Sequence, residues 1–234
     1  VKLHWINKAS NTHLLVFFSG WGLDEKPFQP ITSESVDVLM VYDYRELDQV
    51  EELYEILNTY EEKTLLAWSM GVWHGSYLLQ ELQEQFPVRI ALNGTPYPVH
   101  DQWGIPPLFF QRTIEVFDEE TRGKFFKRMC GDRATMMKFV NYPPERDLQE
   151  QRDELIYIWQ RTKENPPVRD FYTHSITCDR DFIFPYQSQT EYWDLANKTF
   201  SRDIEGSHFP FYRWNTWDEM IVSLQEDITQ FNAS

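Results

Sequence analysis

The sequence predicts an α/β fold: a mostly parallel sheet with helices on both faces, interrupted once by a helical insertion. Three observations lead there. Short apolar runs alternate with segments of helical periodicity through the first third of the chain. After residue 97 no further buried strand is legible until about residue 167, and helical segments follow one another instead. Beyond that point the alternation of strand and helix resumes.

The elements follow in order. Lys2 to Ile6 fits an edge strand. Leu14 to Phe18 reads as a buried strand, broken by Ser19-Gly20-Trp21-Gly22. Val36 to Tyr42 is the next strand. Gln49 to Thr59 has helical spacing, with Val50, Leu53, Ile56 and Leu57 on one face. Thr64 to Trp68 is a strand, Gly71 to Phe86 a helix, and Val88 to Leu92 a strand closed by Asn93-Gly94. Pro96, Pro98, Pro106 and Pro107 then punctuate the chain. Helical segments are expected near 107–117, 119–130, 132–140 and 147–163, with Asn165-Pro166-Pro167 ending the insertion. This divides the chain into a core, 1–97 and 166–234, and a helical lid, 98–165. Strands return at Tyr172 to Thr177 and Thr199 to Ile204, each followed by a helix, near 186–196 and 214–230.

Composition limits the function. The 234 residues suffice for one domain with a full core. Aromatic residues reach 16%, which points to a bulky core plus an apolar pocket. The net charge of −15 argues against a general nucleic-acid binder, because phosphates would be repelled. No apolar run approaches the ~18 residues of a membrane span. The opening VKLHWINKAS lacks the apolar stretch of a signal peptide. Cys130 and Cys178 form no C-x-x-C pair, which excludes a disulfide scaffold or a cysteine zinc finger. The expected location is the cytosol, the expected state a monomer, with no membrane association.

Ser69, in LLAWSMGVWHG, stands directly between a buried strand and a helix, with Ala67 before it and Gly71 after it. A nucleophile elbow needs small flanking residues, because strand and helix must pack closely around a strained serine. Ala67 departs from the usual G-x-S-x-G at one small position. A serine that merely caps a helix would look similar, so a base is required. Of His4, His13, His74, His100, His174 and His208, His208 stands out: in EGSHFPF it lies just after the last predicted strand and before the last helix, which places it at the same sheet edge as Ser69. His4, His13, His100 and His174 have no companion that makes a site. His74 is five residues past Ser69 in the same helix and points elsewhere. Asp179 and Asp181 both follow the Tyr172 to Thr177 strand. Asp181 is preferred, because Pro185 then leads a turn into the next helix; Asp179 is the alternative. The order Ser69, Asp181, His208 is that of α/β-hydrolases. An oxyanion hole would take the main-chain N–H of Met70 and of Trp21, the latter in a loop that Gly20 and Gly22 let turn inward.

SGWGLDEKPF, MVYDY, LLAWSMGVW, ALNGTPYPV, MCGD and EGSHFPF together resemble the BioG type of biotin-pathway esterase. The matching segments run from about residue 13 to 217. The resemblance implies hydrolysis of the methyl ester of pimeloyl-acyl carrier protein, with Ser69, Asp181 and His208 as nucleophile, acid and base and without a metal or organic cofactor. Gly20-Trp21-Gly22 also resembles the oxyanion turn of the sister BioH type. A short N-terminal region leaves the number of edge strands open.

Trp68 and Trp73 flank the serine and are candidates for the pocket wall. Phe125, Phe126 and Met129 are candidates for an acyl channel. Between Arg122 and Lys138 stand six basic residues and one acid, against the acidic whole. Lys124, Lys127 and Arg128 share a helix face, roughly opposite Phe125, Phe126 and Met129. That face is the expected dock for an acidic carrier protein. A thioesterase or acyltransferase with the same three residues, and a silent fold that only binds carrier protein, are the competing readings.

Overall fold

The computed structural model describes residues 1–46 and 50–225. Within them, the strands are β1 (Lys2–Asn7), β2 (His13–Phe18), β3 (Val36–Tyr42), β4 (Glu62–Trp68), β5 (Val88–Leu92), β6 (His174–Cys178) and β7 (Phe200–Ile204). The helices are α1 (Val50–Leu57), α2 (Gly71–Leu79), α3 (Pro107–Val116), α4 (Glu119–Cys130), α5 (Arg133–Phe139), α6 (Leu148–Glu164), α7 (Tyr186–Leu195) and α8 (Trp217–Gln225). Among the described residues the seven strands form one sheet in the order β1-β3-β2-β4-β5-β6-β7. All neighbours pair in parallel except β1, which runs antiparallel to β3.

Alternation along each strand sorts the core into two layers. Leu15, Phe17, Met40, Leu66 and Ile90 face one side and pack with Trp217 and Met220 of α8. Leu14, Val16, Phe18, Leu39 and Leu65 face the other, against Leu53 of α1, Val72 of α2 and Trp193 of α7. Burial on both faces is why these strands read as continuous apolar runs. A third, smaller cluster holds Trp21 and Met70 against Phe110, Phe117, Leu155 and Ile158 of the segment between β5 and β6. It lies where the loops after β2 and β4 meet α3 and α6.

Some boundaries differ from expectation. The helix expected from Gly71 to Phe86 is α only to Leu79 and continues as 3-10 turns over Gln80–Gln85. Pro87 keeps Phe86 extended, and the chain tightens before it. The last helix starts at Trp217, not near 214, because the Thr216 hydroxyl caps it by accepting from Glu219 N–H. Gln49 and residues 226–230, assigned to helices on sequence, lie outside the described residues. Among those described, no helix is long and apolar enough to cross a membrane.

Candidate active site

The parallel strands deliver their loops to one edge, and Ser69 sits there after β4. Its φ of 57° is left-handed, an unfavourable state for a serine. Packing holds it: Ser69 N–H donates to Leu92 C=O at 3.0 Å and Ser69 C=O accepts from Val72 N–H at 3.1 Å. A Cβ on Gly71 would lie 2.3 Å from the Phe18 carbonyl oxygen, and one on Gly94 2.6 Å from the Ser69 carbonyl oxygen. These two glycines let α2 and the post-β5 loop close on the turn. The methyl of Ala67 faces Gly75 of α2: a Cβ on Gly75 would lie 3.5 Å from it, an ordinary contact, and 3.1 Å from the Tyr172 hydroxyl, the tighter one.

His208 Nε2 is 2.9 Å from Ser69 Oγ, and His208 Nδ1 is 2.7 Å from Asp181 Oδ2. A carboxylate only accepts, so Nδ1 carries the proton and Nε2 is left to accept from the serine hydroxyl. All three side chains are buried. Asp181 Oδ1 accepts from Ile183 and Phe184 N–H, both at 2.9 Å, and Oδ2 also accepts from Gln189 Nε2 at 3.0 Å. Asp179, the alternative acid, is half-exposed and accepts instead from Gly206 N–H. His74 points away, as expected. It stacks on Tyr44 at 3.6 Å, donates from Nδ1 to Met70 C=O, and is pushed by burial down to a pKa of about 3.

Sequence reasoning missed the groups that hold the histidine loop. Trp68 Nε1 donates to His208 C=O at 2.8 Å. Asn93 Nδ2 donates to the carbonyls of Ser207 and His208, while its Oδ1 accepts from Cys178 N–H. The C-terminus of α4 does the rest. Its orphan carbonyls are taken by this loop: Met129 C=O accepts from Phe209 N–H and Cys130 C=O from Ser207 Oγ. Gly131, at φ 75°, gives Ser207 room, since a Cβ there would meet the Ser207 Cβ at 2.4 Å. The MCGD and EGSHFPF segments are therefore one contact. Burial pushes the thiols of Cys130 and Cys178 up to about 12, so neither is poised to react.

Ser69 and His208 open into a cavity of about 500 Å³. Its walls are mainly apolar, with Trp21, Trp68, Phe117, Phe125, Met129 and Leu155 among them. Phe109 and Phe182, both mostly exposed, stand at its mouth with Arg112, Lys124 and Arg128. Phe182 was not foreseen; it follows Asp181 directly. Two candidates for substrate contact fall elsewhere. Trp73 does not border the cavity, because its indole stacks on Tyr77 one turn further along α2. Phe126 packs on Phe139 of α5 instead, while Phe125 packs on Trp21. Successive helix residues diverge by about 100°, so only one of the pair can face the cavity.

Trp21 and Met70 line the cavity, and among the described residues no acceptor meets either main-chain N–H. Gly20 brings the loop to the serine: a Cβ on it would lie 3.2 Å from Ser69 Cβ. The basic face of α4 is partly neutralised. Glu120 pairs with Lys124 and Glu119 with Arg122, whereas among the described residues no acid pairs with Lys127 or Arg128. Lys124 and Arg128 also border the cavity, so the face is less cleanly opposite the apolar one than the spacing implied.

Comparison with known proteins places the chain in a family. A family described as pimeloyl-ACP methyl esterase BioG matches residues 1–220. The solved structure of BioG from Haemophilus influenzae superposes with a TM-score of 0.81 at 32% identity, covering 94% of this chain and 99% of that one. A Bacteroides fragilis protein named malonyl-[acyl-carrier protein] O-methyltransferase is 37% identical over 195 residues, which are 83% of this chain. The match spans only 39% of that relative's length. A lipase-esterase related protein from Clostridium acetobutylicum shares 14% identity with a TM-score of 0.60 over 98% of each chain, a likeness of fold alone. The chain has the α/β-hydrolase fold and belongs to the BioG family of pimeloyl-ACP methyl esterases.

Proposed function

We propose that this chain is a serine carboxylesterase that hydrolyses the methyl ester of pimeloyl-acyl carrier protein in biotin synthesis and releases methanol. The observation that carries the reading is the buried Ser69–His208–Asp181 chain at the floor of an apolar cavity. His208 Nε2 takes the Ser69 proton as Oγ attacks the ester carbonyl. Trp21 and Met70 N–H stabilise the oxyanion. Methanol leaves with the proton from His208, and water then releases the pimeloyl carboxylate from the acyl-enzyme. The apolar walls suit the methylene chain, with Trp68, Phe125 and Met129 against it. Helices α3 to α6 act as the lid over it, and the thioester end faces the mouth.

The test is mass spectrometry of the carrier-bound methyl ester after incubation with the enzyme. Methanol with an intact thioester is the expected outcome. Free carrier protein would instead make the chain a thioesterase, and no product at all would make it a binding module.

Lys127 and Arg128, with Lys124 beside them, are the proposed dock for the acidic carrier. Lys127 does not border the cavity and is exposed. Lys127→Glu is expected to raise KM for the carrier-bound ester by about tenfold, as a rim charge acting on encounter. Hydrolysis of a small soluble ester should change by less than about twofold. Added salt should close the gap between wild type and variant on the carrier substrate, because exposed charges are screened over ~8 Å at physiological ionic strength. Equal losses on both substrates would return Lys127 to a structural role.

A further inference from the structure

We infer that Gln151 and Glu154 of α6 are positioning residues for the reaction: they fix the Trp21–Gly22 turn so that Trp21 N–H meets the developing oxyanion. The inference rests on the ester-hydrolysis reading above. Trp21 Nε1 donates to Gln151 C=O at 2.7 Å, and Gln151 Nε2 donates to Gly22 C=O at 2.6 Å. Gly22 N–H donates to Glu154 Oε2 at 3.1 Å. One turn of α6 thus holds the indole of Trp21 and both polar groups of the next residue's main chain. Glu154 Oε1 accepts from Tyr44 N–H at 2.9 Å, and the Tyr44 hydroxyl donates to Ser19 C=O at 2.7 Å. The turn is therefore held at its start as well as at its end.

The choice of a carboxylate is informative. Glu154 is fully buried, and such a charge is costly unless paired. Arg146, also buried, donates to Glu154 Oε2 at 2.6 Å and lies 3.0 Å from Asp43. A carboxylate can accept from two main-chain N–H groups and a guanidinium at once, which an amide cannot. Gly22, at φ 77°, already allows the turn. What the clamp adds is its exact distance from Ser69, against which Gly20 is packed. Displacement of a reacting geometry by about 1 Å costs on the order of 100-fold in rate.

Glu154→Gln and Gln151→Met are the test. Each is assayed on a soluble ester and with a trifluoromethyl ketone. Ser69 Oγ adds to the ketone carbon, the Ser69 proton passes to His208, and the carbonyl electron pair becomes an oxyanion that needs the Trp21 donor. Both variants are expected to lower kcat by about 10- to 100-fold. KM should stay within about threefold of wild type, and ketone affinity should fall by the same factor as kcat/KM. Gln151→Met changes no charge and keeps its length, so it answers even where Glu154→Gln does not fold. A kcat within about twofold of wild type in Gln151→Met, or a loss of kcat with unchanged ketone affinity, overturns the inference. A wild type that neither turns over the ester nor binds the ketone removes the ester-hydrolysis reading itself, and this inference with it.

Discussion

Replacing Ser69 or His208 by Ala is expected to lower ester hydrolysis by about 10⁴- to 10⁶-fold, and replacing both should be no worse than replacing either. The two side chains share one proton path: Ser69 Oγ lies 2.9 Å from the only ring nitrogen of His208 that can accept, since the other faces Asp181. Without the serine there is no acyl-enzyme. Without the histidine the hydroxyl keeps its proton. The loss therefore saturates at the first substitution. Ser69→Ala removes a single oxygen, whereas His208→Ala empties the buried ring site and takes one partner from Asp181. In both the His208 loop keeps its anchors, because Trp68 and Asn93 hold the main-chain carbonyl and not the ring. Thermal unfolding of Ser69→Ala should accordingly stay close to wild type, which separates lost chemistry from lost fold. Single variants that retain activity within about tenfold, or a double variant whose loss is the product of two large ones, would count against the assignment.

What the sequence made legible, and what it hid, divides along range. β2 to β5 could be read because strands covered on both faces are apolar in succession, as in Leu14 to Phe18. Ser69, Asp181 and His208 could be read because each follows a strand of a parallel sheet, so topology alone brings them to one edge. Ala67 departs from the usual glycine, and its neighbour across the interface, Gly75, lies on the facing helix and serves no motif of its own. Gln151 and Glu154 were invisible for a related reason. Their partners stand about 130 and 110 residues away in sequence, and a polar helix residue has the same letters whether it meets water or a buried main chain. Asn93 read as half of a turn signal, and it is one, at φ 48°. Its side chain also joins the ends of β5 and β6 to the histidine loop, which no local pattern encodes. The direction of α4 was only half legible. Periodicity separated its charged and apolar residues, but Phe125 and Phe126 could be told apart only once Trp21 and Phe139 were in place.

Asp181→Asn should lower kcat by about 10⁴-fold, the cost known when a neutral amide replaces the acid of such a chain, while Asp179→Asn should change it by less than about threefold. The surroundings of Asp181 dictate which way the amide points. Its Oδ1 accepts from two main-chain N–H groups, those of Ile183 and Phe184, which an amide NH₂ cannot replace. The amide oxygen must therefore occupy the Oδ1 position, and the NH₂ must face His208 Nδ1. Facing a donor, Nδ1 becomes the acceptor, and the ring proton moves to Nε2, the nitrogen that has to receive the proton of Ser69. The base is then blocked without any atom being lost. Gln189 Nε2, which donates to Asp181 Oδ2, would meet the same NH₂. Some loss of stability is expected there too, of about 1–3 kcal/mol for a buried donor left unmatched. Gln189→Met in the Asp181→Asn background should recover part of that stability and none of the rate, because the tautomer stays wrong. Steady-state kinetics on a soluble ester and chemical denaturation of the variants decide the matter. A large fall in kcat for Asp179→Asn with a small one for Asp181→Asn would move the acid to Asp179, and recovery of rate by Gln189→Met would mean that misplaced packing, not the tautomer, had stopped the enzyme.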